Sequence, residues 1–429
     1  MFTKINSMKK SFLFIVALMM MVVSVGSGQT AYIPNSVDDN VSVIDITTNT
    51  ITHTIQVGAY PTGVSVSSDG TKVYITNGAD STVSVINTVT NTVTATIKVG
   101  AYPIGVSASQ IGTKVYVANY NDNTVSVINT ATDSVTNIIP VGYNPWGLVV
   151  SPDGSKVYVA NVNDNSVSVI NTATNTVTAT ILVGNWPYGI AVTPDGTKLF
   201  VTNELAASIS IINTSTNTVI DTLSVGLNPN SVFVSPDGSK VYVTNENSNS
   251  VSVINNSTNA VIDIITVGAG PWGVTVSPDG TKIYVANTGD NTVSVISAPT
   301  NTVTGTITVG REPEALGNFI STYTQPAGIA ALNNQEATIT ISPNPFTSET
   351  TITFSEEQTY TIVKVRNILG EEIKTLVISA VNQVTLEKGT MQAGIYFLEI
   401  TDSSTSAGSV NAASSPTRKN VVNKKVVVQ

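Results

Sequence analysis

Tyr158–Val177 reads YVANVNDNSVSVINTATNTV, and nearly the same words open at Tyr116 (YVANYNDNTVSVINTATDSV) and at Tyr284 (YVANTGDNTVSVISAPTNTV). The spacing is constant. Tyr32, Tyr74, Tyr116, Tyr158, Phe200, Tyr242 and Tyr284 stand 42 residues apart, as do Pro61, Pro103, Pro145, Pro187, Pro229, Pro271 and Pro313. A period of this length means a solenoid or a ring of blades, and the content of one unit decides between them. In Pro61–Gly100, GVSVS alternates apolar and small polar residues, and SDG supplies an Asp-Gly hairpin turn. KVYITN, TVSVIN and TVTATIKVG follow, separated by polar turns. These are four strands, a to d, with no helical periodicity. Helical solenoids are excluded, and the Asp-Gly hairpins favour antiparallel strands over a parallel β-helix. The expected fold is all-β: a seven-bladed β-propeller.

The phase of the repeat adds a prediction. YIPN at Tyr32 has no Pro-x-Gly strand before it, and REPEALGNFIS at Arg311–Ser321 has no Asp-Gly turn after it. The first blade is therefore expected to take strands b, c and d from the N-terminal side and strand a from about Ala315–Ser321. That pairing closes the ring and hides two sheet edges.

Composition narrows the function. The chain has 429 residues, no cysteine, one histidine and a net charge of −9. Thiolate chemistry and cysteine zinc sites are excluded, and most histidine chemistry with them. Nucleic-acid binding, which needs a basic face, is not expected. No cofactor and no metal is expected. Lys4, Lys9 and Lys10 precede the apolar run SFLFIVALMMMVVSVG and small residues around Gly26–Gly28, so residues 1–28 read as a signal peptide. The run is short for a spanning helix, and no membrane span is expected in the mature chain.

YVTN at Tyr242–Asn245, VSPDGTK at Val276–Lys282 and NTVSVI at Asn291–Ile296 resemble the YVTN family of bacterial and archaeal β-propeller repeats found in surface-layer and other exported proteins. The resemblance covers residues 29–322 and implies a seven-bladed propeller outside the cytoplasm. It implies no single activity.

A propeller of this phase puts its d–a and b–c loops on one face and its a–b and c–d turns on the other. The turns are nearly uniform; the variety lies on the loop face. All three tryptophans are there, in an aromatic set for which the candidate ligand-binding residues are Tyr60, Tyr102, Trp146, Trp186, Tyr188 and Trp272. Such rings stack on sugars or hold cations, or else pack on neighbouring prolines and close the core. The b–c loops carry Asp38, Asp39, Asp80, Asp122, Asp164, Glu204, Glu246 and Asp290, expected as a solvated acidic rim. Glu204, Glu246, Arg311 and Glu312 break the repeat. No catalytic residue can be assigned; His53 falls at a tolerant outer-strand position, matched by Ala95, Asn137, Ala179, Asp221, Asp263 and Gly305.

Past residue 322 the period ends. After a linker at 323–336, residues 337–429 read as a small Ig-like β-sandwich. SPNPF (Ser342–Phe346), VRNILGEEIKTL (Val365–Leu376), AGIYFLEI (Ala393–Ile400) and KKVVVQ (Lys424–Gln429) resemble the C-terminal sorting domain of the type IX secretion system of Bacteroidota. Asp402–Asn420, rich in Ser and Ala, stands where that family has a short hairpin turn. The resemblance implies secretion machinery as a partner and an extracellular or outer-surface address. The expected role is a binding, adhesion or scaffold module for a glycan, peptide or surface polymer. The alternatives are a lactonase-like propeller hydrolase or lyase, or a passive surface-layer component.

Overall fold

The computed structural model describes residues 29–321, 340–342, 344, 346–358, 361–367, 372–378, 381–402 and 420–428. The expected signal peptide, the linker and all but the ends of the Asp402–Asn420 insert lie outside the described residues. The chain divides into two compact units, Met1–Gly328 and Ile329–Gln429.

The first unit contains seven four-stranded antiparallel sheets. Blade 4 shows the pattern: strands a to d are Pro145–Val150, Lys156–Asn161, Ser166–Asn171 and Thr176–Leu182. Strands b and c are buried on both sides, because each blade is packed between two others; strand d forms the outer edge and is mostly exposed. The apolar clusters accordingly lie between blades. One joins Tyr116, Val125, Val127 and Ile139 of blade 3 to Leu148, Val150, Val157 and Val159 of blade 4.

Ring closure occurs as expected. Ile320–Ser321 pairs with the Tyr32 strand, with Ala31 opposite Ile320 and Thr30 opposite Ser321. The Tyr32 amide donates to Phe319 O at 2.9 Å, and Asn35 bridges to Pro313. The closing strand is less regular than its six counterparts. Those carry one extra residue just after the proline, a β-bulge between Pro145 and Leu148 in blade 4. The closing strand packs a wider bulge into the same place, with left-handed Ala315 (φ 51°) and Gly317 (φ 119°).

The bulged strands crowd the axis. A Cβ at Gly63, Gly105, Gly147 or Gly189 would collide with a carbonyl oxygen of the next blade's strand a, which is why Pro61, Pro103, Pro145 and Pro187 are followed by x-Gly. What remains along the axis is a cavity of about 30 Å3, lined by Gly105, Gly147, Ile190, Ser231 and Leu316. The propeller is plugged.

The a–b and c–d turns knit neighbouring blades. Lys156 Nζ donates to Thr214 O at 2.9 Å, and Lys72, Lys114, Lys198, Lys240 and Lys282 each reach the equivalent turn carbonyl of the adjacent blade. Asp153 accepts from Ser151 Oγ at 2.6 Å and from the Ser155 amide at 3.0 Å; these bonds hold its carboxyl below the usual range.

The second unit is a two-sheet β-structure. Thr340–Ser342, Glu349–Gln358 and Val381–Glu387 form one sheet; Thr361–Arg366, Glu372–Ile378, Gly394–Asp402 and Asn420–Val428 form the other. Phe346, Ile352, Phe354 and Leu386 from the first side meet Val363, Val365, Tyr396 and Leu398 from the second in one core. The final strand pairs along its whole length with Gly394–Asp402, from Asp402 opposite Asn420 to Gly394 opposite Val428.

Candidate functional site

Three residues per blade line the loop face, and no two blades carry the same set of three. Immediately before the proline stand Tyr60, Tyr102, Asn144, Trp186, Asn228, Gly270 and Glu312. Immediately after it stand Thr62, Ile104, Trp146, Tyr188, Asn230, Trp272 and Glu314. Following the last Asn of strand b are Ser36, Gly78, Tyr120, Val162, Glu204, Glu246 and Thr288.

The backbone holds these positions in a repeated way. All seven residues before the proline have positive φ, between 50° and 61°. In blade 5 the Trp186 amide donates to Asn165 Oδ1 at 2.9 Å, and the Trp186 carbonyl accepts from the Glu204 amide at 2.9 Å. Both bonds recur at Asn144, Gly270 and Glu312. A side-chain acceptor in the b–c loop and a main-chain donor beside it thus clasp the left-handed turn.

This explains most of the acids. Asp80, Asp122, Asp164 and Asp290 accept the amides of Ala59, Ala101, Tyr143 and Ala269 at 2.6–2.7 Å. Asp39 accepts from the Tyr60 amide, and Asp38 accepts from the Arg311 amide and from Arg311 Nε at 2.6 Å. These aspartates brace loops while Asp39, Asp80, Asp122 and Asp290 stay exposed, so the expected solvated acidic rim is present. Among the described residues no group of three or more His, Asp or Glu side chains is arranged to hold a metal ion.

Five of the six expected aromatic residues come together. Tyr60 and Tyr102 have ring centroids 6.1 Å apart; Trp146 and Tyr188 stack at 4.5 Å and 6°; Trp186 lies 6.4 Å from Tyr188. The bridge between the two groups is Tyr120, 6.1 Å from Tyr102 and edge-on to Trp146 at 5.5 Å. The result is one continuous arc of six rings across blades 2 to 5. Trp186 is 39% exposed, and the others are half-buried. Trp272 stands outside the arc, on blade 7. Tyr120 sits in a b–c loop, where the sequence directs attention to acids.

Carboxylates flank both ends of the arc. Beside Tyr188, Glu204 Oε1 accepts from Asn228 Nδ2 at 2.7 Å, and Glu246 Oε2 accepts from Asn230 Nδ2 at 2.8 Å. Burial first, then the charge of Glu204, raises the Tyr188 phenol well above its usual range, so it stays a proton donor. At the other end, Glu314 is 5% exposed. Burial pushes its carboxyl up to about 7, although the hydroxyls of Thr62, Tyr60 and Ser36 pull in the opposite direction. Glu314 is the buried acid that the periodicity did not reveal; the signal was its phase, one residue past Pro313. His53 lies exposed on strand d of blade 1, its Nδ1 3.2 Å from Asn91 Nδ2 and away from the loop face.

The family of YNCE-like β-propellers matches residues 101–195 and 154–246, and the secretion system C-terminal sorting domain matches residues 340–409. No curated relative matches the chain. Solved structures that resemble it include Kuenenia stuttgartiensis hydrazine synthase, at 20% identity and TM-score 0.56, covering 59% of this chain and 88% of that one. A functionally unknown protein from Desulfotomaculum acetoxidans aligns at 19% identity and TM-score 0.60, covering 67% and 99%. A "putative 6-phosphogluconolactonase" from Bacteroides fragilis aligns at 17% identity and TM-score 0.60, covering 68% and 98%. At these identities the likeness shows the fold alone. The sorting domain marks the chain for secretion and for contact with the secretion machinery. Periodic four-stranded blades, matched over residues 101–246 by the YNCE-like β-propeller family, thus precede a secretion system C-terminal sorting domain.

Proposed function

We propose that this secreted propeller is an extracellular binding module that lays an extended ligand along the aromatic arc of its loop face. The observation that carries the reading is the unbroken ring-to-ring contact from Tyr60 to Trp186. Six half-open aromatic faces give stacking surface for successive units of a glycan or other polymer. They sit on a rigid, plugged scaffold, so little ordering is required on binding. The Glu314 carboxyl supports the competing hydrolase or lyase reading, but its burial leaves little of it for a substrate to touch.

The test is a pair of variants. Trp146→Ala and Trp186→Ala should each weaken ligand binding, on the order of tenfold, while the melting temperature moves little for exposed Trp186. Loss of stability with binding unchanged would return these rings to a packing role. The address has its own test. We place the mature protein in the medium or on the outer surface, after removal of residues 1–28 and of the domain beyond about Ala337. A chain truncated at Asn334 should accumulate as folded propeller in the periplasm of its host. Its arrival at the surface would refute the sorting role.

A further inference from the structure

Resting on that reading, we propose that the slot between Tyr60 and Tyr102, at the blade 2 end of the arc, is a cation subsite that takes an ammonium group of an amine-bearing glycan. Four departures from the repeat meet there. The first is the ring pair itself: only here do two consecutive blades carry an aromatic residue immediately before the proline. The centroids stand 6.1 Å apart with the planes tilted by 32°. A cation over the slot therefore comes within about 6 Å of both rings, the range in which a ring face attracts it.

The second departure is Gly78, at a phase filled elsewhere by Ser36, Tyr120, Val162, Glu204, Glu246 and Thr288. A Cβ there would stand 3.5 Å from Tyr60 Cδ1 and 3.6 Å from Tyr102 Cε2, so the missing side chain is what leaves the gap between the rings unfilled. The third is Asp39. At its phase Asn123, Asn165, Asn249 and Asn291 accept the amide of the residue before a proline, and a neutral side chain suffices. Asp39 makes the same bond to the Tyr60 amide at 3.0 Å, and brings a charge that the bond does not need. The fourth is Glu312, the one acid among the seven residues before the repeat prolines.

These charges are exposed and uncompensated. Asp39, Asp80 and Glu312 are exposed, with Asp80 held on the Ala59 amide at 2.6 Å. Arg311 is the one cation in the d–a and b–c loops, and Asp38 already binds it at 2.6 Å. Lys98 lies outside these loops, at the end of the outer strand of blade 2. Among the described residues Asp39, Asp80 and Glu312 have no ion-pair partner. The charge of Glu314 first, then burial, raises the Tyr60 phenol well above its usual range, so the ring stays neutral in a negative field.

A carboxylated or sulfated ligand meets repulsion here, and a neutral one leaves Asp39 and Glu312 unused. A cation answers all four departures. The arc continues from the slot through Tyr120, Trp146, Tyr188 and Trp186, and this run of ring faces suits successive flat-sided sugar units better than the branched side chains of a peptide.

The experiment is calorimetric titration of the full purified chain with glucosamine hexaose, its N-acetylated counterpart and hexalysine, at about pH 6 and at low and high salt. The glucosamine oligomer should bind roughly tenfold more tightly than the N-acetylated one, and about 1 M salt should remove most of that advantage. Asp39→Asn keeps the loop bond and should weaken the glucosamine oligomer roughly fivefold, with the N-acetylated oligomer and the melting temperature unchanged. Gly78→Val puts the residue of blade 4 into the slot and should weaken the glucosamine oligomer roughly tenfold. Equal binding of the two hexaoses, untouched by salt or by either variant, would overturn the subsite and leave the arc reading standing. Glucosamine binding that Asp39→Asn weakens and Trp186→Ala leaves unchanged would support the subsite and overturn the arc. Tighter binding of hexalysine than of glucosamine hexaose would overturn the glycan assignment in favour of a basic peptide. Absence of binding by all three probes would overturn the subsite.

Discussion

The two faces of the propeller are built from the same strands and teach different things. On the turn face five blades repeat Asp-Gly and six a lysine, and each of these lysines is consumed by a neighbour: Lys156 caps Thr214, Lys240 caps Ala298, Lys282 caps Ile46. On the loop face no two blades carry the same set of three variable residues, and the aromatic arc lies there. Uniformity marks groups whose partners lie inside the molecule. Difference at equal phase is what the proposed binding face rests on.

The largest effect should come from breaking the ring that both faces share. Deleting Glu314–Ser321 removes the strand paired with Thr30–Asn35 and exposes sheet edges on both sides of the gap. The product should aggregate or lose cooperative melting, as size-exclusion chromatography and thermal circular dichroism would show. Next is the axis. Gly147→Ala puts a methyl group against the Tyr188 carbonyl oxygen, which belongs to backbone and cannot swing away. It should cost about 3 kcal/mol in denaturant unfolding and disturb the arc as well.

Glu314 gives a pH-dependent effect. Its native pKa of about 7 lies above the unfolded value of 4.5, so the native state binds the extra proton between those pH values. Stability contributed by the neutral form is fully present below pH 4.5, falls as pH rises towards about 7, and is gone above it. Glu314→Gln should flatten that slope and stabilise the protein at pH 8 by on the order of 3 kcal/mol. A slope that survives the substitution would move the titration to another group. Smallest is a contrast between the faces: Lys156→Met on the turn face should cost about 1 kcal/mol. Trp186→Ala on the loop face should cost less in stability than in ligand affinity. Equal stability losses would erase the distinction between the faces.

The fold was legible because the same proline, tyrosine and Asp-Gly recur at fixed phase; even the closing strand could be placed from the missing half-repeats at Tyr32 and Pro313. The site was only partly legible. Trp146, Tyr188 and Trp186 stood out as large residues in variable loops, but whether rings touch depends on the bulge beside each proline, which alternation of residue types does not encode. Tyr120 therefore went unnoticed, and Trp272 was grouped with an arc it does not join. The loop-bracing bonds of the aspartates were not legible for a different reason. An acid bonded to a main-chain amide and an acid facing water look alike in sequence. Glu314 was hidden where PEALG replaces Pro-x-Gly, the one blade in which the bulge widens.

The clasp at the residue before each proline has a consequence for how this surface can change. It grips main-chain atoms: the carbonyl accepts a b–c loop N–H in all seven blades, the amide donates to an Asn or Asp side chain at Tyr60, Asn144, Trp186, Gly270 and Glu312, and neither bond uses the side chain of the residue held. Seven sockets of one shape thus accept interchangeable inserts, and a new specificity can be written one letter at a time without refolding the molecule. The vocabulary has one restriction. A left-handed backbone penalises β-branched residues, and the present letters, Tyr, Tyr, Asn, Trp, Asn, Gly and Glu, contain none.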